Sequence, residues 1–225
     1  MANVTAQDVK VLRQRTGAGM MDCKNALVEA DNDQEKAVEI IKKKGLAKAA
    51  KKAGAIAAEG LIHSYIHSGS RIGVLVEVNC QTDFVSRNDE FKSFVEEVGL
   101  QIASSSPTYV RPQDIPEADL AKQRELFEGQ VEEDENKTGK KKPQAAVAKI
   151  IEGKIVKWFS EACLDHQELV TREDKATVGQ IAEELTARLG EKIAVRRFVR
   201  FELGEGIDVV KKDLAADVAE TIANA

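Results

Sequence analysis

A strand pattern that runs directly into a helix pattern, near the centre of the chain, limits the fold more than any other feature. Before residue 81 the sequence alternates with the period of two that is typical of a half-buried strand. One set of alternate positions holds Val74, Val76, Val78 and Cys80, and the other holds Leu75, Glu77 and Asn79. After residue 90 apolar residues recur at helical spacing: Phe91, Phe94, Val95, Val98 and Ile102. Residues 81–87 are therefore predicted to form a sharp strand-to-helix junction.

This junction carries an acidic and an aromatic residue, Asp83 and Phe84. One interpretation is local: Thr82 or Ser86 caps the following helix, Asp83 favours its positive end, and Phe84 folds back onto the first turn. The other interpretation is that the turn holds both side chains rigidly outward, as a tip presented to a partner. Taken alone, these residues favour the local interpretation, because most aromatic residues at helix starts serve local packing.

Composition argues against several classes of function. The 33 basic and 38 acidic residues leave a net charge of −5, so nucleic acid is not expected as a direct partner. No apolar run approaches the roughly 18 residues of a membrane helix, and the N-terminus lacks the pattern of a signal peptide. We therefore expect no membrane contact and a cytoplasmic location, or an organellar matrix or stroma. No phosphate-binding Gly-x-x-x-x-Gly-Lys-Ser/Thr loop is present, and no cofactor is expected.

Three short helices are predicted in the first domain, residues 1–45. A capping box at Thr5–Asp8 begins the first helix, which ends at Thr16–Gly17. The second covers residues 20–30, and the third begins after Asp33 and ends at Gly45. Residues 46–58, rich in alanine and lysine, are predicted to be a partly helical linker.

An α+β core is predicted for residues 59–206. Strands at 61–67 and 72–80 form a hairpin, and a third strand at 193–203 completes a small antiparallel sheet. Helices at 117–131 and 146–164 are expected to form a hairpin against the sheet, with the acidic run at 132–135 in a charged solvated segment or loop. Residues 207–225 are predicted to contain a C-terminal helix with a narrow apolar stripe: Val210, Leu214, Val218 and Ile222.

Two stretches of the sequence resemble the translation elongation factor Ts family, whose members exchange guanine nucleotide on the GTPase elongation factor Tu. The first runs from Glu77 to Arg87 and reads EVNCQTDFVSR, and the second runs from Leu12 to Leu27 and reads LRQRTGAGMMDCKNAL. The last strand also resembles the family. The resemblance implies that the three N-terminal helices form a ubiquitin-associated-like domain that docks on the GTP-binding domain of the partner.

The resemblance also implies which residues act on the partner. It assigns displacement of Mg²⁺ from GDP-bound elongation factor Tu to Thr82, Asp83, Phe84 and Val85. It assigns partner binding to a second set: Leu12, Arg13, Gly17, Ala18, Gly19, Met20, Met21, Val210 and Leu214. From the residues alone, Leu12 and Leu27 are interpreted as core, whereas the glycine-rich turn at 17–20 is expected to face the partner, because such a turn lets a surface approach closely.

One departure from the family and two alternative functions follow from the sequence. Longer family members carry a second core half and a protruding helical hairpin, whereas one tip and one small sheet are predicted here, so a homodimer, or a heterotetramer with the GTPase, would supply the missing contacts. The first alternative is a non-enzymatic adaptor that binds through its N-terminal helices.

The second alternative is a zinc-dependent or thiol enzyme. It is disfavoured because Cys23, Cys80 and Cys163 are far apart and show no metal-binding spacing. His63 and His67 would lie roughly 13 Å apart on a strand, too far for one ion.

Overall fold

A computed structural model describes residues 4–207 and shows three N-terminal helices followed by a mixed α+β core. The helices are α1 (Ala6–Thr16), α2 (Met20–Glu29) and α3 (Gln34–Lys52). The predicted capping box is confirmed: the Thr5 Oγ1 accepts from the Asp8 amide at 3.2 Å, and the Asp8 carboxylate accepts from the Thr5 amide at 2.9 Å. These helices enclose a small core of buried residues: Leu12, Cys23, Ala26, Leu27, Ala30 and Ala37.

The prediction that the third helix ends at Gly45 is wrong, because α3 continues to Lys52. Gly45 serves a close approach between helices instead: a β-carbon added to it would lie 3.1 Å from Cβ of Ala187, on the helix Val178–Leu189. Most of the predicted linker therefore extends the third helix, and α3 joins the N-terminal unit to the core.

The predicted three-stranded antiparallel sheet is confirmed, with strand order β1 (Glu59–Ile66), β2 (Ile72–Cys80) and β3 (Ala194–Glu202). The central strand β2 pairs Val78 with Leu61 on one side and Val76 with Phe198 on the other. Its inner face packs against the apolar stripe of α5 (Asp89–Ser105) and against α8 (Val178–Leu189). The short helix α4 (Asp83–Ser86) lies between β2 and α5.

The outer face of the same sheet exposes an apolar patch next to the ion pair of Glu77 with Arg197. The register places Ile66 and Phe201 on either side of Gly73, and Val199 beside Leu75. Phe201 is 68% exposed, and Ile62, Ile66, Leu75 and Val199 are also exposed. An exposed apolar patch rimmed by polar residues is suited to contact with another surface.

Two long helices, α6 (Glu117–Thr138) and α7 (Gln144–Ala162), form a hairpin with a separate core of Val131, Ile151 and Ile155. The prediction that this hairpin packs against the sheet is wrong, because its buried residues do not join the cluster of the sheet. The acidic run at 132–135, predicted to be a solvated segment or loop, continues α6. The predicted helical hairpin is therefore present, but it packs around a core of its own.

The predicted C-terminal helix lies outside the described residues, together with Val210 and Leu214. Short 3₁₀ turns at Pro112–Asp114 and Leu164–His166 join the remaining elements. No helix among residues 4–207 is long and apolar enough to cross a membrane.

Candidate functional site

The tip, residues 81–87, turns the chain sharply from β2 into a helix of only four residues. One turn of helix is not stable alone, because nucleation fixes several dihedral angles for a single hydrogen bond. Contacts with the core must therefore set its geometry. Val85 provides one of them, since its side chain is buried in the sheet cluster, and the Cys80 thiol provides another by donating to the carbonyl of Thr82 at 3.1 Å.

Phe84 projects from this turn and is 80% exposed, the opposite of a residue folded onto its own helix. The local interpretation also fails for the caps. Thr82 occupies the N-cap position of α4 but makes no side-chain capping bond there, and the long helix α5 is capped by Asn88, which accepts from the Glu90 amide at 2.8 Å. An exposed phenyl ring on a turn held by the core is an arrangement suited to insertion into another surface.

Asp83 lies beside Phe84 with about half of its side chain exposed, and its carboxylate pairs with Arg87 at 2.8 Å. The backbone carbonyl of Asp83 accepts from the Ser86 hydroxyl at 2.9 Å, which closes the turn. Exposed ion pairs of this kind contribute little to stability, so the Asp83 carboxylate can exchange Arg87 for another cation at low cost. The structure thus separates the four predicted residues into an exposed pair, Asp83 and Phe84, and a supporting pair, Thr82 and Val85.

A loop between α8 and β3 holds the tip from the opposite side. The Glu191 carboxylate accepts two hydrogen bonds from Thr82, one from the amide at 2.9 Å and one from the hydroxyl at 2.7 Å. The next residue, Lys192, donates its amide to the side-chain oxygen of Gln81 at 3.1 Å. Sequence reasoning missed Glu191, because it is separated from Thr82 by 109 positions and no local pattern marks it.

The second set of predicted residues lies around the turn between α1 and α2. Met20 and Met21 are 59% and 67% exposed, and Arg13 is also exposed. Leu12 is fully buried, so it supports this surface from within, as the interpretation of Leu12 as core predicted. Gly17 ends α1 in the left-handed conformation and Gly19 precedes α2, with Ala18 partly buried between them.

Arg188, near the end of α8, connects the two sets of residues. A β-carbon added to Gly17 would lie 2.6 Å from Cδ of Arg188, so the glycine lets the arginine pass against the turn. The Arg188 guanidinium also pairs with Glu90, in the first turn of α5, at 3.3 Å. A cleft of about 470 Å³ lies here between the α1–α2 turn, α3 and α8. The N-terminal turn therefore contacts the end of α8, and the tip contacts the loop that follows α8.

The surroundings of the cysteines and histidines in the described part of the chain do not favour catalysis by a thiol or a metal ion. Burial is the main cause that raises the pKa of Cys80 and of Cys163 to about 11, so both thiols are protonated and weakly nucleophilic near pH 7. Cys163 is buried, whereas the nearby His166 ring packs edge-on against Phe159. Within the described range 4–207, no group of three or more His, Cys, Asp or Glu side chains is placed to hold a metal ion.

These observations first define a class: a small α+β protein that displays an aromatic residue on a turn held by the core and, on its N-terminal helices, an exposed methionine pair. Comparison with known proteins then defines the family. The model of the family described as Elongation factor TS matches residues 5–205, so the chain belongs to the elongation factor Ts family. It is accordingly related to the elongation factors of protein biosynthesis.

Individual relatives agree with this assignment over nearly their whole length. Elongation factor Ts of Thermoanaerobacter sp. (strain X514) is 55% identical over 91% of this chain and 97% of its own. The protein of the same name from Carboxydothermus hydrogenoformans is 52% identical over 96% of both chains. The one from Myxococcus xanthus is 50% identical over the full length of both.

Proposed function

We propose that this protein is a guanine-nucleotide exchange factor that binds GDP-bound elongation factor Tu, displaces its Mg²⁺ and promotes release of GDP so that GTP can bind. The observation that supports this most is the exposure of Phe84 on a turn held by Val85 and Glu191, in a chain of this family. The expected place of action is the cytoplasm, or an organellar compartment, where translation occurs.

In the proposed mechanism the tip acts as a wedge. The Phe84 ring enters a crevice between two helices of the GTPase, and the Asp83 carboxylate disturbs the groups that hold Mg²⁺ and the phosphates. Burial of one such ring contributes roughly 1.5–3 kcal/mol, or about tenfold to a hundredfold in an equilibrium constant. Because the ring is already exposed and its backbone already fixed, little of this free energy is lost to rearrangement of the factor.

Binding by the tip alone is too weak to displace a tightly held nucleotide, so further contacts are required. Met20 and Met21 are exposed on α2 and offer flexible apolar side chains to a second site on the GTPase. The C-terminal residues Val210 and Leu214 remain part of the proposed interface by family resemblance. Contacts spread over several sites are typical of stable protein interfaces, which bury roughly 1,200–2,000 Å².

Thermodynamic linkage sets the direction of the reaction. A factor that weakens nucleotide binding must itself bind more weakly when nucleotide is present, by the same ratio of equilibrium constants. The protein therefore accelerates exchange in both directions without choosing the product. The supply of GTP over GDP determines which nucleotide the GTPase finally holds.

The charge of Asp83 provides the test of this mechanism. Asp83→Asn keeps the shape of the side chain and removes its charge, so we expect it to slow release of fluorescent GDP from the cognate GTPase by roughly tenfold, the effect of losing one charged hydrogen bond. Arg87→Gln is the matched control, because it breaks the same ion pair but leaves the carboxylate in place. Release at the wild-type rate by Asp83→Asn would contradict the role of the carboxylate, and absence of stimulation by the wild-type protein would favour the adaptor alternative.

We further propose that the protein forms a homodimer through the outer face of its sheet. Five apolar side chains are exposed there, with Phe201 the largest. The Myxococcus xanthus relative is matched over its full length, so the match to that protein leaves no further segment of it in which a second core half could lie. A second copy offers the same apolar face, and packing two such faces would give a sandwich with both sides of each sheet covered.

Sedimentation tests the dimer directly. The wild-type protein is expected to sediment as a dimer at micromolar concentration, and Phe201→Asp is expected to be a folded monomer, because an unpaired carboxylate would be buried at the interface. Ile56→Asp changes a still more exposed apolar residue, in the connection before β1, and should leave the dimer intact. A wild-type monomer would overturn the proposal.

A further inference from the structure

The loop between α8 and β3 lies outside both sets of residues assigned to partner contact, yet it makes the closest polar contacts with the tip. Glu191 is the central residue of this contact. Its two carboxylate oxygens accept separately from Thr82, Oε2 from the amide and Oε1 from the hydroxyl. Two hydrogen bonds from one residue to a charged acceptor restrict both the position and the rotation of the backbone at that residue.

The local structure of the tip explains why such a restraint is needed. Thr82 occupies the N-cap position of α4, but its hydroxyl makes no capping bond within that helix and is committed to Glu191 instead. The side chain of Phe84 is exposed and contributes no packing that could hold the turn. The position and direction of the turn therefore depend on three contacts: the buried side chain of Val85, the hydrogen bond from the Cys80 thiol to the Thr82 carbonyl, and the hydrogen bonds from Thr82 to Glu191.

We infer that Glu191 is a positioning residue, which holds the tip in the orientation that lets Phe84 and Asp83 enter the partner. Its kinetic consequence depends on the proposed exchange function, whereas its structural consequence does not. Glu191 has no assigned contact with the partner: it acts through Thr82. Loss of the carboxylate leaves the core intact and lets the turn move, so the ring spends less time in the inserting orientation.

A fluorescence measurement tests the structural part in the free protein. In a Trp158→Phe background, Phe84→Trp places a single indole on the tip, and its time-resolved anisotropy reports the motion of the turn. We expect Glu191→Ala to increase the amplitude of the fast anisotropy decay at least twofold, with an unchanged melting temperature. Glu191→Gln retains one acceptor oxygen and should give an intermediate amplitude. The control Glu96→Ala removes an exposed carboxylate of α5 and should change nothing. An anisotropy decay unaffected by Glu191→Ala would overturn the inference.

Exchange kinetics in the natural background test the consequence. With Phe84 and Trp158 unchanged, Glu191→Ala is expected to lower the maximal rate of fluorescent GDP release at saturating factor by about tenfold, which corresponds to roughly 1.4 kcal/mol. Affinity for the nucleotide-free GTPase should change by less than threefold, because the N-terminal contacts remain.

The two measurements separate failure of the positioning role from failure of the proposed function. Increased tip motion with no stimulation of release by the wild-type protein would refute the exchange function and leave the structural inference standing. Stimulation by the wild-type protein with equal rates for Glu191→Ala would refute the positioning role.

Discussion

Phe84→Ala is expected to slow factor-stimulated GDP release by roughly tenfold to a hundredfold, because it removes the apolar surface whose burial in the GTPase contributes about 1.5–3 kcal/mol. The ring is 80% exposed in the free protein and makes no part of its core. The substitution should therefore leave the melting temperature of the factor unchanged. Stopped-flow release of a fluorescent GDP from the cognate GTPase measures the effect.

A matched control separates the tip from exposed apolar surface in general. Leu126 is also exposed, on α6 of the helical hairpin, and Leu126→Ala is expected to release GDP at the wild-type rate. If Phe84→Ala and Leu126→Ala behave alike, the wedge mechanism is wrong. A lowered melting temperature for Phe84→Ala would instead show that the ring packs within the factor itself.

Leu27→Ala is expected to unfold the N-terminal unit selectively. Leu27 is fully buried in a small core, in which Leu12 is the other large side chain that is fully buried among the described residues, so its truncation should cost about 2–5 kcal/mol by lost burial and the cavity left behind. A unit of three short helices has little stability to lose. Native-state hydrogen exchange should show that α1 and α2 lose protection while β2 and α5 keep it, and affinity for the GTPase should fall.

The comparison residue for this prediction lies on the same helix. Met21 is 67% exposed, so Met21→Ala should keep the protection of α1 and α2 intact while it weakens binding to the GTPase. Equal loss of protection in the sheet and in the N-terminal helices of Leu27→Ala would show that the two units unfold together. Full protection throughout would show that the small core does not depend on Leu27.

Regular elements were predictable wherever one periodic pattern dominated. The alternation through β2 and the stripe through α5 gave their positions and buried faces correctly, because each has one face in the same core. Helix ends were less predictable. Gly45 resembles a helix stop in the sequence, but α8 packs against it and the helix continues. The acidic run at 132–135 resembles a loop, but a long hairpin with its own core keeps it helical.

The tip shows the same division between local and distant information. Its location follows from the change of period, and Asp83 and Phe84 were found from their residue types at that junction together with the family resemblance. The direction of the Phe84 ring did not follow, because a local cap and an outward tip use the same residues. Contacts from Glu191 and Val85 decide between them, and Glu191 is over a hundred residues away in sequence.

The amino-acid sequence by itself determined the order of helices and strands, the identity of the inner face of the sheet and membership in a family, since all three depend on residues close together in the chain. Only the tertiary structure decided which side of the junction faces solvent, that an apolar patch on the outer face of the sheet is exposed, and that α8 and the loop after it contact the N-terminal turn and the tip. The physical reason is that exposure and mutual contact depend on which distant segments pack together, and no local pattern records that pairing.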